Sequence, residues 1–194
     1  MVMQNQYINE LTEKIDQTEI YAGTDRRFTD YNEGINYLVD VFSRHKAEQT
    51  QLFFIGNGGS SAIASHMTAD YMKNGGMITC SLYDTSVLTC LGNDYGYEDV
   101  FSRQLEFLAL QDDLLVAVSS SGKSQNIVNA IIAARKKGAK VVTFTGFDPD
   151  NPVRRMGDIN IYVPCGKYGI VESIHNLILQ EAVDVIMERD GICL

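Results

Sequence analysis

Two short segments of this 194-residue chain concentrate the groups needed to hold a phosphate: Gly56-Asn57-Gly58-Gly59-Ser60-Ser61 and Ser119-Ser120-Ser121-Gly122-Lys123-Ser124. Both contain small residues, through which a backbone can approach an anion closely, and hydroxyls that add donors of their own. Each follows an apolar run and precedes a helical stretch. The turns are therefore expected at helix N-termini, where unpaired N–H groups and the positive end of the helix dipole favour negative charge. A tight turn and a helix cap would account for one such loop; two in one small sheet point to a bound anion. Neither segment contains GxxxxGK[ST], and neither fits GxGxxG with an acidic residue about 20 positions on, which disfavours nucleoside triphosphates and dinucleotides. Lys123 could add charge to the second loop, but an exposed lysine with no special role fits it better.

The elements around these loops follow from periodicity. Tyr7, Ile8, Leu11 and Ile15, then Ile35, Leu38, Val39 and Phe42, recur at helical spacing and predict two amphipathic helices within residues 1–50. Gln51–Ile55 is a short apolar run ending in the first loop, a buried strand; a helix over Ala62–Met72 follows, with Ser60 or Ser61 as its N-cap. Leu114–Val118 and Gln125–Lys137 repeat the pattern around the second loop. Lys140–Thr145 and Asp158–Val163 read as further strands, and Gly169 to about Arg189 as one long helix. Strands alternating with helices predict an α/β fold with a parallel sheet covered on both faces.

The length suits one domain, with N-terminal helices over 1–50 and an α/β core over 51–194. A net charge of −9 gives no electrostatic footprint for a nucleic-acid backbone or an anionic membrane, so neither is expected as a direct partner, and an anionic ligand must be caught by local geometry. Cys80, Cys90, Cys165 and Cys193 show no CxxC spacing, and Met1–Asn5 does not resemble a secretory leader. Reduced thiols in the cytoplasm are the expectation. The longest apolar runs fall far short of the ~20 residues of a membrane helix.

From roughly Leu52 to Val185 the chain resembles the phosphoheptose isomerases, within the broader sugar isomerase (SIS) group. The pieces that carry the resemblance are Gly56–Ser60, Cys90-Leu91-Gly92-Asn93-Asp94-Tyr95-Gly96-Tyr97, Phe101-Ser102-Arg103 and Ser119–Asn126. The resemblance implies a three-layer sandwich, with a five-stranded parallel sheet flanked by helices and preceded by the helical pair. It also implies a homotetramer with active sites built from more than one subunit. It assigns Asn57, Gly58, Gly59, Ser60, Ser119, Ser120, Ser121 and Ser124 to a sugar phosphate and Asp94 to the open-chain sugar.

Aldose–ketose isomerisation moves a proton between adjacent carbons through an enediol and needs a base and an acid. In the resembled enzymes a glutamate after the first loop and a histidine on the last helix fill these roles. Zinc is often held there by a histidine, that glutamate, a glutamine and the last-helix histidine. Here His66 and Asp70 share one helix face at i,i+4, with Asp70 at the glutamate's position; Glu172 stands for the glutamine and Gln180 for the histidine. By this correspondence Asp70, Glu172 and Gln180 are the candidate catalytic residues. His66, Asp70, Glu172 and Gln180 are the candidate ligands of a divalent metal such as zinc, although so oxygen-rich a set suits zinc less well than the family's. An amide such as Gln180 cannot shuttle protons near neutral pH. His175 reads as a helix-packing residue and His45 as a surface one. Lys167-Tyr168-Gly169-Ile170 replaces the family's usual Asp-Arg pair after the aromatic residue.

Two readings follow. Retention of His66 and of a carboxylate at Asp70 favours an isomerase of phosphorylated sugars, sedoheptulose 7-phosphate being one. Gln180 favours a non-catalytic relative serving as a binding or assembly factor, of the kind that promotes initiation of DNA replication through a protein partner.

Overall fold

The apolar runs of the sequence pair as strands in a computed structural model that describes residues 2–192, with side chains from residue 6 onward. Five strands are parallel: β3 (Gln51–Ile55), β4 (Ile78–Cys80), β5 (Leu114–Ser119), β6 (Lys140–Thr145) and β7 (Ile159–Tyr162). Every residue of β5 is buried, as expected of a central strand covered on both faces. Chain order along the sheet is β4-β3-β5-β6-β7, and an antiparallel hairpin, β1 (Glu19–Ala22) and β2 (Arg26–Arg27), extends it beyond β7. The sheet thus has seven strands instead of the expected five. The two extra strands interrupt the N-terminal helical pair, α1 (Val2–Asp16) and α2 (Tyr31–Glu48). Ile20, nearly fully buried and packed against Gly34 of α2, anchors the hairpin.

The two faces of the sheet bury separate cores. Phe54, Val116, Val142 and Phe144 point to the side covered by α2, α3 (Gly59–Lys73) and α7 (Tyr168–Arg189). Phe53, Leu115, Ala117 and Val141 point to α6 (Gln125–Lys136) and α5 (Ser102–Leu108). This alternation is the period-2 geometry of a strand buried on both faces. In the first core Tyr71 of α3 lies between Phe42 and Phe54, with centroids 4.8 and 5.0 Å away, and its hydroxyl donates to the Leu179 carbonyl of α7 at 2.9 Å. At the base of β5 the buried Asp113 accepts from the amides of Gln51 and Leu110, both at 2.8 Å, and so fixes the start of β3 against β5.

Two of the expectations need correction. His45 is not a surface residue: it is 4% exposed, with Nδ1 2.6 Å from the Thr50 hydroxyl, and burial lowers its pKa. Its place on the inner stripe of α2 with Leu38 and Phe42 explains why. The N-cap of α3 is Gly58, not a serine; its φ of 55° makes the turn, and Ser60 and Ser61 fall inside the first helical turn. Among the described residues no helix is long and apolar enough to cross a membrane.

Candidate functional site

The order of the parallel strands places both loops together. After β3 the chain steps outward to β4, then returns to the other side of β3 and proceeds through β5, β6 and β7. At such a reversal the loops leaving two neighbouring strands diverge and open a crevice at their carboxyl ends. The diverging loops here are the two serine-rich turns, after β3 and β5. They form a cleft of about 340 Å³ lined by Asn57, Gly58, Gly59, Ser60, Ser119, Ser120, Ser121 and Ser124, with Tyr168 and Glu172 contributed by α7.

Each loop is held from behind. The Gly56 amide donates to the Tyr83 hydroxyl at 2.7 Å, and that hydroxyl donates back to the Gly56 carbonyl at 2.9 Å. Burial pushes the Tyr83 phenol well above its usual range, so it remains a neutral donor. In the second loop Gly122, with φ of 62°, donates to the Ser119 carbonyl at 3.0 Å, and a Cβ at this position would run into Asn151. The loops are also tied to one another. Asn57 and Asn126 exchange amide hydrogen bonds at 2.9 Å, and the Tyr97 hydroxyl donates to Asn57 Oδ1 at 2.8 Å. The Ser120 hydroxyl is buried and has no hydrogen-bond partner among the described residues, a donor at the cleft whose protein partner is missing.

Glu172 enters from the first turns of α7, and its carboxylate lies so close to Gly59, the first residue of α3, that a Cβ there would overlap it. Loss of solvent raises its pKa above the usual glutamate range, making it a stronger base. Gly59 therefore serves close approach. Lys123 pairs with Asp148 at 2.8 Å and remains largely exposed, in line with an ordinary loop lysine.

The remaining candidates lie elsewhere. His66 Nε2 and Asp70 Oδ2 are 3.0 Å apart, the imidazole more than half exposed and the carboxylate largely covered. Asp70 comes eleven residues after Gly59 on α3, about 16 Å along the helix at its rise per residue. Gln180 faces a shallow groove with Ile15, Tyr31, Leu177 and Glu181, away from the serine loops. Asp94 is exposed at the end of α4 (Thr85–Tyr95), where Asn93 donates to it at 2.9 Å. His175 is fully buried; its Nε2 donates to the Thr145 carbonyl at 3.1 Å, and burial pulls its pKa down to about 4. It is the packing residue expected.

Among the described residues no three His, Cys, Asp or Glu side chains converge as a metal cluster would require. His66 and Asp70 engage one another, Glu172 sits over Gly59, and Gln180 faces a different groove.

Tyr83 escaped sequence reasoning as a site residue, and Asn126 and Tyr97 enter it only as parts of motifs. Asn126 carried a signal, as the residue two beyond the second loop; Tyr83 carried none.

Known proteins agree with this geometry. The SIS domain family matches residues 17–146, which include both loops and exclude α7. The phosphoheptose isomerase of Sulfurimonas denitrificans is 40% identical over 146 residues, covering 71% of this chain and 74% of its own. That of Geotalea daltonii is 37% identical over 161 residues, with 80% and 81% covered. The solved phosphoheptose isomerase of Neisseria gonorrhoeae superposes with a TM-score of 0.75 at 26% identity, covering 95% of this chain and 98% of its own. Sequence, sheet topology and the paired loops lead to the same place: the chain belongs to the phosphoheptose isomerase family of SIS-domain proteins.

Proposed function

We propose that this protein is an aldose–ketose isomerase of a phosphorylated sugar, with sedoheptulose 7-phosphate as the substrate to try first. The observation that carries the reading is the convergence of both serine loops and one carboxylate, Glu172, on a single cleft. Backbone N–H groups at the start of α3 and the hydroxyls of Ser60, Ser119, Ser120, Ser121 and Ser124 fix the phosphate and thereby the sugar chain. Isomerisation then needs a base that takes the proton from the carbon beside the carbonyl and returns it to the neighbouring carbon, while an acid serves the oxygens. Glu172 suits the base, since it stands in the cleft with a raised pKa. Asp70, backed by His66, suits the second carboxylate, and its distance along α3 from the phosphate end of its own chain favours delivery by a neighbouring subunit. Gln180 can orient a sugar oxygen by hydrogen bonding but cannot carry a proton.

A homotetramer is the assembly that would supply the neighbouring subunit for that sharing. Tyr7 and Ile8 of α1 and Leu177 of α7 are exposed, an apolar surface on helices that flank one edge of the fold. A cytoplasmic location suits Cys80, Cys90 and Cys165, which are all unpaired; Cys193 lies outside the described residues.

The test is to incubate the purified protein with a panel of ketose phosphates and follow aldose formation by NMR. The expected outcome is conversion of a ketose 7-phosphate, abolished or greatly slowed in Ser121→Ala and Ser124→Ala variants. Binding of the sugar phosphate without turnover of any member of the panel would instead favour the binding-factor reading.

A further inference from the structure

At the opposite edge of the sheet, beneath the amino ends of β5, β6 and β7, lies a second cavity of about 540 Å³. Leu114 borders this cavity and Ser119 the serine-loop cleft, and these are the two ends of β5, so the full length of a buried strand separates the two sites. The fold described above makes no use of it.

Its lining is unusual for a chain of net charge −9. Arg44 of α2, Lys140 at the start of β6 and Arg155 from the turn before β7 border it; all are exposed and none forms an ion pair among the described residues. Arg135 reaches the same rim from α6, anchored by the Met156 carbonyl at 2.7 Å. The one carboxylate in the lining, Asp158, is already engaged. Its Oδ2 accepts from the Val141 amide at 2.8 Å and faces Arg135 at 3.6 Å. Deeper in, Val41, Val142 and Ile159 supply an apolar floor and Tyr37 a ring. His45 also lines the cavity: it is 4% exposed, its Nδ1 is committed to Thr50, and its Nε2 makes no hydrogen bond to a described residue.

We propose that this cavity is a second ligand site, taking an organic anion whose phosphate meets Arg44, Lys140 and Arg155 and whose flat apolar body lies on Tyr37 and Val41: a nucleoside phosphate. The volume falls in the ~300–1,000 Å³ range of small-molecule sites, and inorganic phosphate alone would leave the apolar floor uncovered. Cations at the rim fix the phosphate and set the salt dependence, while the floor and His45 discriminate among bodies. Because the site lies at the far end of β5, its occupation does not compete sterically with a sugar phosphate.

Calorimetric titration of the full chain with ADP tests the assignment, using wild type, Arg44→Glu/Arg155→Glu and Ser121→Ala/Ser124→Ala. ADP is expected to bind wild type and the serine variant alike and to weaken about tenfold or more in the charge-reversed variant, while sedoheptulose 7-phosphate shows the opposite pattern. Val41→Trp, which fills the floor without touching a charge, provides a second route should the charge-reversed protein fail to fold by circular dichroism, and is expected to exclude ADP. The proposal is overturned if ADP does not bind wild type at millimolar concentration. It is equally overturned if ADP binding follows the serine loops and ignores the cavity variants, or if inorganic phosphate binds at the cavity as tightly as ADP.

Discussion

Asn57 and Asn126 bond reciprocally, each side-chain amide donating to the other's oxygen at 2.9 Å. One belongs to the loop after β3 and the other to the helix that the second loop begins, 69 residues later. The pair makes the two halves of the phosphate cradle one rigid unit, and Asn126, 3% exposed, has no solvent to fall back on.

Replacing Asn126 with Ala leaves the Asn57 amide N–H without its acceptor, while Asn57 Oδ1 keeps only the Tyr97 hydroxyl. Urea denaturation is expected to register a loss of ~1–3 kcal/mol, the usual cost of buried polar groups left unpaired. Calorimetry with a sugar phosphate is expected to show weaker binding as well. A stability loss with unchanged affinity would mean the cradle keeps its shape without the tie.

Gly59 and Glu172 are expected to be coupled. Gly59→Ala drives a methyl group into the Glu172 carboxylate; because that is the end of a flexible side chain, it should shift at a cost of about 1 kcal/mol or less, the low end of overpacking. In a Glu172→Ala background the same substitution should cost much less. A double-mutant cycle in denaturant measures the difference, and additive effects would show that the carboxylate moves aside freely.

His175 predicts acid sensitivity. Its folded pKa of about 4 lies below the ~6.5 of an unfolded histidine, so between those values the unfolded chain binds the extra proton. Stability is full above about pH 6.5 and falls as pH drops toward 4, by roughly 3 kcal/mol at most from this residue. His175→Gln is less stable than wild type at pH 7 but should lose less on acidification, so the two urea midpoints converge at pH 5. A constant gap would exclude this histidine as the cause.

Light scattering at micromolar concentration should give the mass of four 21.6 kDa chains. A monomer would remove the basis for delivering Asp70 from a neighbouring subunit.

Periodicity in the sequence was enough for β3, β5, β6 and β7 and for α2, α3, α6 and α7, but not for α5; β3, β5 and β6 are continuous apolar runs closed by glycine or serine turns. It was blind to β1, β2 and β4, which are two to four residues long and owe their conformation to a neighbouring strand more than to their own pattern. Helix α4 buries no residue fully and packs only Leu88 and Leu91 partly against the core, a stripe too short to announce it. The phosphate cradle was legible because its chemistry is local: small residues and hydroxyls at a strand end. Tyr83 acts across 27 residues of sequence, a kind of contact that leaves no local trace, and the motif that contains Asn126 does not disclose its partner 69 residues away. The separation of Glu172 from Gln180 was hidden for the opposite reason: residues eight apart on one helix differ in height by about 12 Å, a distance that motif matching ignores.

The arginine hairpin beyond β7 also decides how copies of this chain can meet. An exposed edge strand is a template on which another sheet can grow. Here one edge ends in two arginines and the other in β4, only three residues long. Both edges therefore offer little free backbone to a further strand. Any self-association is thereby directed to the helical flanks and away from the sheet edges.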